Sequence, residues 1–594
     1  MQKSVSSILS FCRKKSMSET LRWVVVLGVL SHFCLAQSPD SRNSAAKRND
    51  TSSQTAAPRG QAVPMEGSSA SSATPRDLVG DASALCRKGD FDGAIAKYKE
   101  LLQERPKSPD AYAGLIRAYL RQKKIIQAAQ TADEALALVD SPRVHVARAE
   151  VLFRQGKIDQ AELEWAKAIN AGFPEARAYL GLARVRNARA MYKSAEGMIN
   201  RAHELDPVDP DIEELWVATL PRDERINYLE KALSDRKEWS DDQRQNTASY
   251  LEYLKGRAKD KYQPCHLLTN ASSTEVPLIM ILGEDTFMRG WGLPVFLNGH
   301  KVSLLLDTGA SGILLGRKTA ERAGISRLAA TTVGGIGDKG NRKGYVGIAD
   351  SIQVGNLEFQ GCPIGVLEDR SVSGNDGLIG SDVFQDFLVD LDFPAVRFRL
   401  SALPKRPGEA ERELALRNDT DDLKSGETNG ERSADTNNRP PMPRPSESLD
   451  SYIATEMESF TRVFRFGHDL LIPTTVGGVA NKLFLLDTGA FNNTISPAAA
   501  REVTKVYGDS NTVVRGISGK VKKVYSANKV VLQFGHLRQE NQDMVGFDTS
   551  ALSDDDGAEV SGLLGFNMLK FLDIKIDYRD ALVDFSYDPK RWKF

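Results

Sequence analysis

Histidine and cysteine are scarce in this chain, with seven and five among 594 residues. The histidines form no HExxH motif and no close cluster, which argues against a zinc hydrolase, and no cofactor is expected. Five cysteines are too few for a disulfide-built scaffold. An excess of one charge is missing too. Lys plus Arg is 78 and Asp plus Glu is 79, giving a net charge of −1. Neither nucleic acid nor an acidic lipid surface is therefore an expected partner. No apolar run reaches the ~18 residues that cross a bilayer. What remains is 41% hydrophobic and 26% charged. That is ordinary globular composition, and the length suits several domains.

Residues 1–36 have the layout of a signal peptide. Lys3, Arg13, Lys14, Lys15 and Arg22 are basic, Trp23 to Leu30 is apolar, and Cys34-Leu35-Ala36 is a small-x-small ending. Met17 is an alternative start, and an uncleaved anchor is the alternative fate. Export to a periplasmic or extracellular compartment is expected. Cleavage after Ala36 would leave Cys86, Cys265 and Cys362, so at most one pair can form. Cys86 is expected to be buried on an apolar helix face, and Cys265–Cys362 can pair in an oxidising compartment. Residues 37–78 are poor in large apolar side chains and read as a disordered linker.

Residues 79–257 repeat. Ala94, Ala128, Ala161 and Ala195 are spaced by 34, 33 and 34 residues. Four positions on come Tyr98, Ala132, Trp165 and Ile199; seven on come Leu101, Ala135, Ala168 and Ala202. Gly89 and Gly156 open turns that are followed by Phe91 and Ile158, with Ile125 and Tyr192 at the same place in the other units. Small residues at a fixed spot let paired helices approach, and the apolar positions fill the seam. The pattern resembles the tetratricopeptide repeat, in about four units. Such an array implies a spacer or a surface for a protein partner. Tyr98, Trp165 and Tyr179 are expected in its core.

The rest of the chain carries one strand-rich unit twice, over 270–402 and 451–594. Each copy has an extended run, a tight Asn298-Gly299 or Gly477-Gly478 turn, an apolar strand, and then Asp-Thr-Gly-Ala at 307–310 and 487–490. Each has a glycine-rich hairpin signal, with Gly334, Gly335 and Gly337 in one and Gly516 and Gly519 in the other. Each has Gly-apolar-apolar-Gly, at 377–380 and 562–565. Residues 403–450 between the copies are polar, include a PPMPRP stretch, and read as a disordered linker long enough to let them face each other.

These three landmarks resemble the aspartic protease lobe, and the Ala after the glycine resembles retropepsins and their bacterial relatives. The resemblance implies two lobes related by a pseudo-twofold axis, each giving one catalytic aspartate, Asp307 and Asp487. It implies that Thr308 and Thr488 hydrogen-bond across the axis. Gly309 and Gly489 permit the tight turn. The glycine-rich hairpins would be flaps, with Tyr345 and Tyr525 either flap or packing residues. Asp390, Asp392 and Asp577 read as solvated or structural.

Two carboxylates a few Å apart share one proton, so the pair can act as base to water and as acid to the substrate. Ala310 and Ala490 stand where pepsin-like sites carry a hydroxyl donor, which predicts a proton held to higher pH. The expectation is a multidomain protein, a helical-repeat solenoid followed by two β-rich lobes. It would be an exported aspartic endopeptidase acting on peptides or unfolded protein. The alternatives are a non-catalytic peptide-binding scaffold, and lobes that pair between chains rather than within one.

Overall fold

The computed structural model describes Trp23–Val25 and residues 77–237, 239, 241–259, 265–283, 288–368, 376–407 and 450–591. Most of the signal segment and both linkers named above lie outside the described residues. Trp23–Val25 form a short strand, parallel to Val513–Gly516.

Eleven helices run from Leu78 to Lys259 among the described residues. The sequence repeat maps onto them directly. Phe91, Ile125, Ile158 and Tyr192 are each the first residue of a unit's second helix. The turn ahead of each helix carries a left-handed residue, at Gly89, Lys123, Gly156 and Ala190, with φ of 80°, 60°, 72° and 56°. The four alanines of the repeat are fully buried. A Cβ on Gly114 would stand 2.2 Å from the Tyr98 ring, and one on Gly181 2.1 Å from the Trp165 ring. Glycine in the first helix thus makes room for the large aromatic of its neighbour. Cys86 is half-buried rather than enclosed, and burial still pushes its thiol upward.

The first helices of successive units are cross-linked by charge. Arg117 bridges Glu150 and Glu175 at 2.8 and 3.0 Å, and Arg177 reaches Asp209 at 2.7 Å. Arg121 spans to Asp211 at 3.0 Å.

From His266 onward the described chain is strand-rich. A nine-stranded sheet forms the first lobe and an eight-stranded sheet the second. A six-stranded sheet belongs to both. In it Phe387–Asp392 of the first lobe pairs antiparallel with Asp573–Asp577 of the second, Leu388 facing Asp577. The two lobes are therefore joined by backbone hydrogen bonds within one chain. Cys265 and Cys362 form a disulfide across 97 residues, pinning the start of the first lobe to its long hairpin.

The helical array does not keep to its own core. Phe153, Trp165, Leu471, Leu483 and Leu563 belong to one apolar cluster, with Phe153 edge-on to Phe466 at 6.1 Å between ring centres. Two inter-helix turns and one helix start meet the second lobe or the segment leading into it. Lys123 pairs with Asp554, Gly156 lies against Leu483, and the Lys193 and Ser194 amides donate to Asp450. The sequence repeat alone predicts a self-sufficient stack; the structure corrects this, because the turns are used as a docking edge.

Candidate active site

Each Asp-Thr-Gly follows a strand that is buried to its end. His300–Leu306 carries Leu304, Leu305 and Leu306, and Val479–Asp487 carries Phe484, Leu485 and Leu486, all enclosed. The Gly-apolar-apolar-Gly segments lie parallel beside them. Leu378 is in register with Leu305, and Leu563 with Leu485. A side chain at Gly562 would strike the Thr494 carbonyl at 2.2 Å and one at Gly377 the Leu314 carbonyl at 2.2 Å, so glycine is what lets the strand press against its neighbour.

The two Asp-Thr-Gly turns meet on the pseudo-twofold axis. Thr308 N–H donates to Thr488 Oγ1 at 3.0 Å, while the Thr308 hydroxyl donates to the Leu486 carbonyl at 2.7 Å. The reciprocal pair is Thr488 N–H to Thr308 Oγ1 at 3.0 Å and the Thr488 hydroxyl to the Leu306 carbonyl at 2.8 Å. Four hydrogen bonds thus fix the loops at one separation. The Thr308–Thr488 contact implied by the family resemblance is present.

That clamp brings Asp307 and Asp487 together. Both are fully buried and face each other across the axis, each with its Oδ2 enclosed and without a hydrogen-bond partner, so the pair cannot readily hold two charges. Gly309 N–H donates to Asp307 Oδ1 at 3.1 Å and Ala490 N–H to Asp487 Oδ1 at 2.8 Å. A Cβ on Gly489 would come within 2.3 Å of Asp307 Oδ2, and one on Gly309 within 2.9 Å of Asp487 Cγ. Nothing larger than glycine admits the opposite carboxyl. Burial pushes Asp307 up to about 7, against hydrogen bonds that favour its ionised form. Asp487 is held well above the ordinary carboxylate range, first by burial and then by the charge of Asp307. Burial is the first cause of the rise at both aspartates.

The tips of the glycine-rich hairpins meet each other and pack beside Ala310 and Ala490. Gly334, Gly335 and Gly337 lie in the turn between Arg327–Val333 and Arg342–Val354. Gly516 and Gly519 close the turn between Val513–Gly516 and Gly519–Lys520. The tips bond to each other: Ser518 N–H to the Ile336 carbonyl at 3.1 Å, and Lys339 N–H to the Ser518 carbonyl at 2.9 Å. Gly337, at φ 133°, would press a Cβ onto Ser518 at 2.4 Å. Ile336 is buried in a cluster with Ala490 and Leu485 of the second lobe. Ile517 is buried in one with Ala310 and Leu305 of the first. Each tip thus crosses to the opposite lobe.

Tyr345 is a packing residue in the first lobe's core with Arg327 over its ring, and Tyr525 carries Arg501 over its ring. Asp390 and Asp392 pair with Arg399 at 3.2 Å each, and Asp577 accepts the Asp580 N–H at 3.1 Å. These three are structural, and Asp392 and Asp577 are buried rather than solvated. Sequence reading missed Arg289, His468 and Asp469, which are buried beside the dyad. A basic or acidic residue in an otherwise apolar strand was the available signal.

The model of the aspartyl protease family matches residues 293–383 and 472–568. A tetratricopeptide repeat model matches residues 85–151. The chain therefore carries aspartyl-protease domains in two lobes and a tetratricopeptide repeat region. It is 30% identical over 114 residues to the UBA domain-containing protein Mud1 of Schizosaccharomyces pombe, covering 18% of this chain and 33% of that protein. The chain thus matches about a third of the length of that curated relative. The solved structures it resembles include a thermophilic TPR protein from Thermus thermophilus, at 21% identity and a TM-score of 0.25, covering 30% of this chain and 98% of that one. Another is a tetratricopeptide repeat protein from Parabacteroides merdae, at 18% identity and a TM-score of 0.22, covering 32% of this chain and 73% of that one.

Proposed function

We propose that the two lobes form a single aspartic endopeptidase site within one chain, hydrolysing peptide bonds in extended or unfolded polypeptide. The observation that carries this reading is the meeting of the buried Asp307 and Asp487 carboxyls on the pseudo-twofold axis, held by the reciprocal threonine clamp. The ionised carboxylate removes a proton from water as the oxygen attacks the scissile carbonyl. The protonated carboxyl donates to the carbonyl oxygen. Collapse of the tetrahedral intermediate then transfers a proton to the departing amine, giving one new acid and one new amine. Opening of the interlocked tips admits substrate, and their closure excludes water. The raised carboxyls support activity from mildly acidic to near-neutral pH.

The reading extends to location and partners. A signal at 1–36 would export the chain to a periplasmic or extracellular compartment, and the Cys265–Cys362 disulfide supports an oxidising one. The helical repeats at 79–257 would present a surface to a protein partner. The rival reading is a non-catalytic peptide-binding scaffold. Its supporting observation is that Ile336 and Ile517 already fill the apolar ground beside Ala490 and Ala310.

The test is cleavage of a quenched fluorescent peptide library by the full chain and by Asp307→Asn and Asp487→Asn. Cleavage lost in both variants supports one shared site. Binding without cleavage in the wild type would favour the scaffold, and cleavage surviving in either variant as a monomer would overturn the shared dyad.

A further inference from the structure

The two catalytic loops are gripped at the same place by different chemistry. Asp382 stands two residues after Gly380, and Asn567 two after Gly565, the last glycines of the two Gly-apolar-apolar-Gly segments. Gly312 stands two after Ala310, and Asn492 two after Ala490. These equivalent residues meet in both lobes. The Gly312 N–H donates to the Asp382 carboxyl, at 2.9 Å from Oδ1 and 3.1 Å from Oδ2. In the second lobe Asn567 Nδ2 donates to Asn492 Oδ1 at 3.0 Å.

The first grip falls on the main chain for a reason. Gly312 has a φ of 61°, so the loop turns left-handed there, and glycine offers no side chain to hold. Its peptide groups are held instead. The Gly380 N–H donates to the Gly312 carbonyl at 2.7 Å, while the Gly312 N–H goes to Asp382. The Ser311 hydroxyl adds a longer contact to Asp382 Oδ2 at 3.4 Å. A Cβ on Gly380 would stand 2.2 Å from the Ala310 carbonyl oxygen, so this segment lies hard against the loop. In the second lobe the amide pair is joined by two backbone bonds, from Phe566 N–H to the Ala490 carbonyl at 2.7 Å and from Asn567 N–H to the Phe491 carbonyl at 2.8 Å.

Asp382 is anchored from across the seam. Its neighbour Ser381 is fully buried and shares a hydrogen bond of 2.5 Å with the Tyr578 hydroxyl of the second lobe. Arg465, also of the second lobe, lies over the Tyr578 ring at 5.2 Å and donates to the Tyr578 carbonyl at 2.8 Å. It also donates to Gln385 Oε1 of the first lobe at 2.7 Å. The segment that holds the first loop is thus fixed by the lobe that carries the other aspartate.

We infer that Asp382 is a positioning residue for Asp307, fixing the turn over 307–312 through the Gly312 N–H and so setting where the Asp307 carboxyl meets Asp487. The turn is closed within itself by Gly309 N–H to Asp307 Oδ1 at 3.1 Å and Ala310 N–H to the Asp307 carbonyl at 3.2 Å. A displacement at Gly312 is therefore passed to the aspartate rather than absorbed on the way. The inference rests on the proposed peptidase reading for its meaning in catalysis, but not for its first test.

That test is amide hydrogen exchange of the full chain, resolved to single residues by fragmentation mass spectrometry. In the wild type Gly309 and Gly312 should exchange through one shared opening, as parts of one held turn. Asp382→Ala should speed both by about tenfold or more, the effect of leaving a part-buried N–H without its partner. Asp382→Asn supplies an acceptor oxygen in the amide form used by the second lobe, and should return both towards the wild type. Peptide cleavage is the second readout. Asp382→Ala, assayed well below its melting temperature, should lower kcat by about 10–100-fold with KM little changed, and Asp382→Asn should recover most of it. A merely structural role would lower the melting temperature and leave kcat of the folded protein intact. The inference is wrong if Gly312 opens apart from Gly309 in the wild type, if Asp382→Ala frees Gly312 alone or speeds Gly489 equally, or if Asp382→Asn behaves as Asp382→Ala does. An unmoved kcat overturns it too. If the wild type cleaves nothing, the peptidase reading fails and exchange still decides the positioning. If Asp382→Ala does not fold, the wild-type exchange decides alone.

Discussion

The two lobes share a frame and differ in everything attached to it. Both present the aspartate from a buried strand, back it with a parallel Gly-apolar-apolar-Gly segment, and send a glycine-rich tip to meet that of the other lobe. The first lobe is stapled by a disulfide and leans on the last helix, where Arg257 donates to the Gly361 carbonyl at 3.0 Å. The second has no disulfide. It is braced by two turns of the repeat array and by a shared apolar cluster. The two lobes thus share the residues that pair them, whereas the means of holding each lobe rigid differ.

Removing one aspartate breaks the comparison most severely. Asp307→Asn or Asp487→Asn should each lower peptide turnover by about 10²–10⁴-fold, the usual contribution of a positioned acid or base. A large difference between the two variants would mean that the lobes do not contribute to one site. Next is the brace of the second lobe. Phe153→Ala empties a buried ring position shared with Phe466, and should cost about 3–5 kcal/mol in denaturant unfolding. A cost near zero would show the repeats to be a separable appendage. The brace of the first lobe is tested by Cys265→Ser with Cys362→Ser, which should cost about 2–4 kcal/mol. Loss confined to the first lobe's amides in hydrogen exchange would sharpen the contrast.

A smaller effect is expected at the seam that both lobes share. Thr308→Val removes one hydroxyl that both donates and accepts, and should cost about 1–3 kcal/mol; Thr488→Val should match it within error. Unequal costs would reveal an asymmetry in the clamp itself. The smallest effect is the pH dependence of stability. Asp382 and Asp577 are raised to about 6, and Asp307 and Asp573 to about 7. An acid raised in the folded state keeps a proton that the unfolded chain has lost. Stability should therefore fall as pH rises from about 4, where unfolded carboxyls ionise, towards 7. Glu164, Asp211 and Asp392 are lowered and act oppositely, their contribution being lost below about 4. A melting temperature flat or rising between pH 5 and 7 would contradict this balance.

Much of the frame was legible because its constraints are local. A 34-residue spacing of alanines requires close helices, and Asp-Thr-Gly after three apolar residues requires a turn at the end of a buried strand. The repeat's helix starts followed from such patterns, and the Thr308–Thr488 contact from the family resemblance. The buried Arg289, His468 and Asp469 did not, since no repeat or motif marks them and only the packed fold encloses them. The docking edge was hidden for another reason. Gly156 serves the repeat as a left-handed turn and the second lobe as a flat contact, and the sequence announces only the first. Tyr345 and Tyr525 sit near the glycine signals, yet their rings stack under arginines.

The six-stranded sheet has a consequence for chain integrity. Phe387–Asp392 and Asp573–Asp577 hold the lobes together by backbone pairing, with the threonine clamp above them, and neither feature includes residues 408–449. Continuity of the polypeptide is then dispensable after folding. A protease nick within 408–449 should leave a two-fragment particle that co-elutes under native conditions, separates only in denaturant, and keeps its dyad. Fragments that drift apart on native gel filtration would show that the covalent connection carries part of the load.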